Sequence, residues 1–243
     1  MLENVLLVED DLDIARLLQV HLEELALEVT HVADGSQVLS VAKANDFAVI
    51  LLDLMLPNMD GLTLCRELKA LYPMSSVIIV TSKSSDIDRI IGLEVGADDY
   101  ICKPFNTREL QARVKAQLRH VRQLKQPMQT ENANFPSDKI AVGSLVIDAC
   151  CHEISLANVR LDLTATEFEL LQFFAKHPNH VFSRTQLLES VWGYQHSGYE
   201  HTVNSHINRL RAKLEAISNN TVIETVWGVG YKLNSASLSG HSV

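Results

Sequence analysis

No stretch of the 243 residues approaches the roughly 20 consecutive apolar residues that a membrane span requires. The opening Met1-Leu2-Glu3-Asn4 lacks the basic start and apolar run of a secretory leader, so a cytoplasmic protein is expected. Cysteine is scarce. Cys65, Cys102, Cys150 and Cys151 show neither CxxC nor metal-ligand spacing, and are read as small apolar side chains in a reducing compartment. Basic charge is also in deficit, with 21 Lys/Arg against 30 Asp/Glu and a net charge of −9. The deficit is uneven: residues 1–122 carry −7 and residues 123–243 only −2. Any nucleic-acid face must therefore come from a local cluster in the second half, because neither half is basic as a whole. No internal repeat is present.

What the chain does have is two different rhythms. Up to residue 122, short apolar runs alternate with helical patterns. Strands are expected at Asn4–Val8, Glu28–Ala33, Ala48–Asp53, Val77–Thr81 and Tyr100–Cys102. Helices are expected from Ile14 to Leu25, Ser36 to Ala44, Leu62 to Leu71 and Asp86 to Val95, with a last one carrying Leu110, Val114, Leu118 and Val121. Such (βα)5 alternation implies a doubly wound parallel sheet with helices on both faces. Residues 123–139 mix Gln, Pro, Asn and Thr with charge and are read as a linker. From 140 to 234 short strands, then helices, then a strand pair describe an α+β domain. Thr164 with Glu167 and Ser183 with Gln186 form capping boxes that place two helix starts. Residues 235–243 are small and polar and are expected to fray.

Chemistry concentrates where the first and third strands end. Glu9, Asp10 and Asp11 follow the first strand, and Asp53 ends the third. In a sheet of order 2-1-3-4-5 these strands are neighbours at the switch point where ligands bind. Two unit charges 4 Å apart cost about 4 kcal/mol at an effective dielectric near 20, so clustered carboxylates call for a cation, and an all-oxygen set suits Mg²⁺. A carboxylate so placed can attack phosphorus. The plainer alternative is that Glu9–Asp11 simply cap a helix.

LLVEDD at 6–11, LLDLMLPNMDG at 51–61, VTS at 80–82, GADDY at 96–100 and KPF at 103–105 resemble the receiver domains of two-component response regulators over residues 3–122. The resemblance implies that Asp53 accepts a phosphoryl group from a histidine kinase. It implies that Asp10 and Asp53 bind Mg²⁺ with the Met55 carbonyl, Glu9 contacting the metal or its waters. Lys103 would pair with the phosphate across a cis Lys103-Pro104 bond, Thr81 would donate its hydroxyl, and Tyr100 would turn inward. Met55 and Lys83 would tune the lifetime of the phosphoryl group. Haloacid-dehalogenase-type phosphatases also use an aspartate nucleophile, but they need an aspartate two residues later as general acid. Met55 stands there instead, so no enzymatic turnover is expected.

His201–Glu215 reads as an amphipathic helix with Val203, Ile207, Leu210 and Leu214 on one stripe. The opposite face would carry His201, Ser205, Asn208, Arg209 and Ala212, with Thr202 and Asn204 flanking and Arg211 and Lys213 at the sides. Asparagine and arginine are common base readers. LTATEFELLQFF at 163–174, SRTQLLESVWG at 183–193, HTVNSHINRLRAKL at 201–214 and TVWGVGYKL at 225–233 resemble the winged helix of the OmpR/PhoB subfamily. That resemblance implies a helix in the major groove of double-stranded DNA, a final hairpin as wing with Trp227 where many members carry arginine, and Arg184 near a phosphate. His201 and Asn204 are further departures from the usual pattern. The segment Trp192–Glu200 matches a loop that can touch RNA polymerase. The subfamily also implies a homodimer through charge pairs, here matched by Arg89, Asp98, Asp99, Glu109 and Arg113. His120 stands in place of the usual arginine partner of Asp98, which would make that pair pH-sensitive. A regulator that uses its winged helix as a protein adaptor is the alternative reading.

Overall fold

The computed structural model describes residues 3–125, 139–149, 151–193 and 200–239. The chain divides into two compact units, Met1–Arg122 and Gln123–Val243. In the first, β1 (Glu3–Val8), β2 (Leu27–Val32), β3 (Val49–Leu52), β4 (Ser76–Thr81) and β5 (Asp99–Cys102) alternate with α1 (Leu12–Glu23), α2 (Gly35–Ala44), α3 (Gly61–Leu71), α4 (Asp86–Glu94) and α5 (Thr107–Lys125). The strands form one parallel sheet in the order β2-β1-β3-β4-β5. Strand side chains alternate between faces, so the apolar runs supply two cores. Leu6, Val8, Ile50, Leu52, Val77 and Ile79 face α2, α3 and α4, while Val5, Leu7, Val49, Leu51, Ile78 and Val80 face α1 and α5.

The second unit opens with an antiparallel sheet of β6 (Lys139–Val142), β7 (Leu145–Asp148), β8 (Glu153–Leu156) and β9 (Val159–Arg160). Then come α6 (Ala165–Lys176), α7 (Arg184–Leu187), a π-helical turn at Leu188–Trp192, and α8 (Glu200–Ser218). The hairpin β10 (Ile223–Val226) and β11 (Gly230–Leu233) follows. At the start of α7, Ser183 and Gln186 exchange side-chain and backbone hydrogen bonds at 3.1 and 2.9 Å, satisfying two donors that a helix start leaves unpaired. The α8 stripe Val203, Ile207, Leu210 and Leu214 is fully buried against α6, the π-helical turn and the hairpin.

Three expectations need adjusting. The last receiver helix runs on to Lys125, into the segment read as linker, and residues 126–138 of that segment lie outside the described residues. The polar tail is not wholly frayed. Ser235–Leu238 makes a 3₁₀ turn, Leu238 is buried, and its carbonyl accepts from Ser144 N at 2.8 Å, so one apolar side chain in a polar stretch anchors it. Of the cysteines, Cys65 is in the core but Cys151 is exposed, while Cys150 lies outside the described residues.

His152 stacks on Phe168 with centroids 3.4 Å apart, and its Nε2 is buried without a hydrogen-bond partner among the described residues. Burial lowers its pKa from 6.5 to about 4. A histidine that resists protonation when folded contributes fully above its unfolded value, and that contribution is lost as pH falls from 6.5 toward 4. Solvent on the open side of the ring limits the expected loss to about 1–2 kcal/mol. Urea unfolding across this window should show the slope in the wild type and not in His152→Phe; equal slopes would refute the assignment.

Candidate functional site

The parallel register sets Val8 beside Leu52, so the residues that follow β1 and β3 leave the sheet side by side. Asp53 N donates to Val8 O at 2.9 Å and continues that contact. Of the three acidic residues after β1, only Asp11 caps α1, its Oδ1 accepting from Asp13 N and Ile14 N at 2.9 and 3.1 Å. Glu9 is buried and Asp10 exposed, and each, with Asp53, places a carboxylate oxygen within 4.8 Å of the others. This donor set, all oxygen and strongly anionic, fits a hard divalent cation such as Mg²⁺. The Asp53 carboxylate is positioned from two sides. Oδ1 accepts from Met55 N at 2.9 Å, and Oδ2 from Lys103 Nζ at 2.6 Å.

Lys103 follows β5, its N–H donating to Thr81 O at 2.8 Å, and the Lys103-Pro104 bond is cis. Its ammonium also reaches both Glu9 oxygens, at 2.9 and 2.7 Å. Burial would lower the lysine pKa, but hydrogen bonds and charge attraction from Asp53 and Glu9 outweigh it and raise the value. Burial is the largest influence on Glu9 and lifts its carboxyl above the usual range despite the Lys103 contact. Thr81 ends β4 fully buried, and its Oγ1 has no hydrogen-bond partner among the described residues. An unsatisfied buried hydroxyl is costly unless it serves a ligand. Tyr100 is buried and its hydroxyl donates to Lys83 O at 2.8 Å.

The sequence reading missed Gly61. A Cβ there would lie 2.5 Å from Leu54 Cα and 3.0 Å from Asp53 O, so only glycine lets α3 begin against the backbone that carries Asp53. Asp60-Gly61 at the helix start was the available signal.

The charges assigned to a dimer face are placed differently from expectation. Asp98 is fully buried, its Oδ2 accepting from Lys69 Nζ at 2.9 Å and Val77 N at 2.8 Å. Asp99 and Arg113 are buried and paired with each other at 2.9 Å, and Arg113 also binds Glu109 at 2.8 Å. His120 is buried as well. The reason is that GADDY enters β5, where the aspartates are carried into the sheet rather than onto a helix surface. Arg89 stays partly exposed, 3.7 Å from Asp86 and with Nε 3.3 Å from Cys102 Sγ. The same helix exposes Ile87 and Ile91, one turn apart, which the sequence reading did not single out.

In the second unit, α8 keeps Asn208 exposed and His201 partly so. The outward placement of Thr202 and Ser205 is corrected: both are buried. Trp192 sets its ring edge-to-face 5.0 Å from His206, whose Nδ1 lies 2.8 Å from Thr202 O, so the helix is covered beyond its apolar stripe. Arg209 is drawn to the buried Glu167 at 3.5 Å and Lys213 at 2.7 Å. Burial alone would raise the Glu167 pKa, but Arg209 and Lys213 hold it below the usual carboxylate value. Glu167 Oε2 also accepts from Thr164 N at 3.0 Å, so one carboxylate both starts α6 and fixes α8. Arg211 turns to the hairpin, donating to Ile223 O at 2.7 Å and Thr225 Oγ1 at 2.8 Å. Arg184 donates to Asn204 Oδ1 at 2.9 Å and lies over the Tyr231 ring. Trp227, at the hairpin turn, is 91 % exposed. Within the segment Trp192–Glu200, residues 194–199 lie outside the described residues.

Residues 5–115 match the response regulator receiver domain, and residues 158–233 match the C-terminal domain of transcriptional regulatory proteins. The transcriptional regulatory protein SrrA of Staphylococcus aureus is 41 % identical over 239 residues, 98 % of each chain. Among solved structures, a mutant of RitR is 28 % identical with a TM-score of 0.70, covering 96 % of this chain and 99 % of that one. DrrB of Thermotoga maritima, an OmpR/PhoB homologue, is 33 % identical with a TM-score of 0.50, covering 96 % and 100 %. A parallel sheet with an acidic switch point, followed by a winged helix and matched along nearly the whole chain, places this protein in the OmpR/PhoB family of two-component response regulators, which joins a receiver to a DNA-binding transcription-regulator domain.

Proposed function

We propose that phosphorylation of Asp53 by a sensor histidine kinase controls sequence-specific binding of the second unit to double-stranded DNA. The observation that carries this reading is the contact of Lys103 Nζ with Asp53 at 2.6 Å, beside Glu9 and Asp10, with the buried Thr81 at the end of the adjoining strand β4. Asp53 is the nucleophile. Lys103, now shared with Glu9, is within reach of an anion on Asp53, and Thr81 has a hydrogen bond to give. Glu9, Asp10 and Asp53, with the Met55 carbonyl, would hold Mg²⁺, which offsets the charge between carboxylate and incoming phosphoryl group. Leu12 and Met55 add exposed apolar surface for a kinase to cover.

Dimerisation through α4 and α5 is part of this reading, with Ile87 and Ile91 as its apolar centre and Arg89 and Glu109 at its edge. The buried Asp98, Asp99 and Arg113 then shape that face from within. Two subunits on adjacent half-sites, about one helical turn apart, compensate for the few cations that α8 presents. Asn208, the partly exposed His201 and Trp227 are the contacts, Arg209 and Arg211 support them, and the segment Trp192–Glu200 would touch RNA polymerase. One observation favours the adaptor reading instead: Thr202 and Ser205 are buried, and Arg209 is held by Glu167.

Selection from a random duplex pool, with and without beryllofluoride and Mg²⁺, separates the two. Tandem sites enriched only with the reagent support the proposal; no enrichment in either state gives the lead to the adaptor. Trp227 brings no charge to the wing, and Glu224 and Lys232, opposite each other further down the hairpin, pair at 3.0 Å. Trp227→Arg is therefore expected to steepen the salt dependence of binding by about one unit per subunit, measured as log affinity against log salt. An unchanged slope would remove the wing from the interface.

A further inference from the structure

We infer that Gly92 in α4 is a positioning residue that provides the slot for the inward Tyr100 ring, and so sets whether the state of the Asp53 pocket reaches α4; this rests on the phosphorylation-dependent reading above. Gly92 is a buried interior residue of α4 with ordinary helical φ. Glycine weakens a helix relative to alanine, and nothing in this backbone demands it. What requires it is space. A Cβ at 92 would sit 2.8 Å from Tyr100 Cε2, 2.9 Å from Cδ2 and 3.0 Å from Ile79 Cδ1. The ring cannot slide to make room, because it is fixed at its root in β5 and at its tip by the hydroxyl bonded to Lys83 O.

Lys83 lies two residues after Thr81, which ends β4 with a buried hydroxyl that has no hydrogen-bond partner among the described residues. A continuous physical path thus runs from Thr81 through the Lys83 carbonyl and the Tyr100 ring to α4, the helix that exposes Ile87 and Ile91. Side-chain exchange between an inward and an outward ring is a two-state element of the kind that such coupling needs. A methyl group at 92 closes the inward state.

The test compares full-length wild type, Gly92→Ala, Tyr100→Ala and the double variant, with and without beryllofluoride and Mg²⁺. Gly92→Ala is expected to take up phosphoryl groups from acetyl phosphate at the wild-type rate, within about twofold. It should lose at least about tenfold of the activator-dependent gain in DNA affinity. The Tyr100 ring, followed by NMR of labelled tyrosine, should become solvent-exposed. The double variant should behave as Tyr100→Ala does. The inference is overturned if Gly92→Ala keeps the full gain, or if the double variant is worse than Tyr100→Ala, which would mean that the methyl acts through the helix and not the ring. Should Gly92→Ala not fold, the double variant, where the methyl has room, must fold; if it does not, the steric account is wrong. A wild type that shows no gain on activation defeats the phosphorylation reading itself, and is seen before any variant is measured.

Discussion

Asp53→Asn is expected to abolish the activator-dependent gain in DNA affinity, a loss of about 5–150-fold if the coupling is of ordinary size. The substitution keeps shape and the acceptor for Met55 N, but removes the nucleophilic oxygen and the charge that draws Lys103 to 2.6 Å. Lys103 retains both Glu9 oxygens, and one member of a repelling carboxylate cluster is gone. The fold should therefore survive with its thermal midpoint unchanged or raised, so a lost response cannot be blamed on unfolding. Intact-mass detection of the phosphoryl adduct and titration of a selected duplex check both parts. A variant that still gains affinity on activation would move the acceptor elsewhere.

The second large effect is on stability. Lys69→Met is expected to cost the receiver about 3–5 kcal/mol, the range for breaking a buried ion pair from one side. Lys69 Nζ is buried and donates to Pro73 O, Ser75 O and Asp98 Oδ2 at 3.2, 2.8 and 2.9 Å, while Asp98 is wholly inaccessible to water. Removing the ammonium leaves a carboxylate in the sheet without its cation. Adding Asp98→Asn should recover most of the loss, because the amide can still accept from Val77 N and carries no charge. Urea unfolding of the full-length protein would measure both. A single variant as stable as the wild type would show that the pair contributes nothing net.

These two residues show where the sequence was legible. Asp53 ends an apolar run that can only be a strand buried on both faces, and the strand order then brings it to Glu9 and Asp10. Lys69 shares a helical stripe with Leu64, Cys65 and Leu68, yet a lysine there reads as a solvated edge until the chain brings Asp98 to it from twenty-nine residues away. Glu167 was recognised as the third residue of a capping box, but its second role, holding Arg209 and Lys213, depends on the packing of α8 across α6.

The alternation of strands and helices, the sheet order, the acidic switch point and the apolar stripe of α8 were all legible in the order of the residues. These follow from local periodicity and from the few ways such a pattern can wind. Which charged and polar groups face water depends instead on how the elements pack. The Asp98, Asp99 and Arg113 charges read as a surface are internal, and Thr202 and Ser205 are covered. A charge is assigned to solvent by default, and only contacts between residues distant in sequence reveal that a partner has removed it from water.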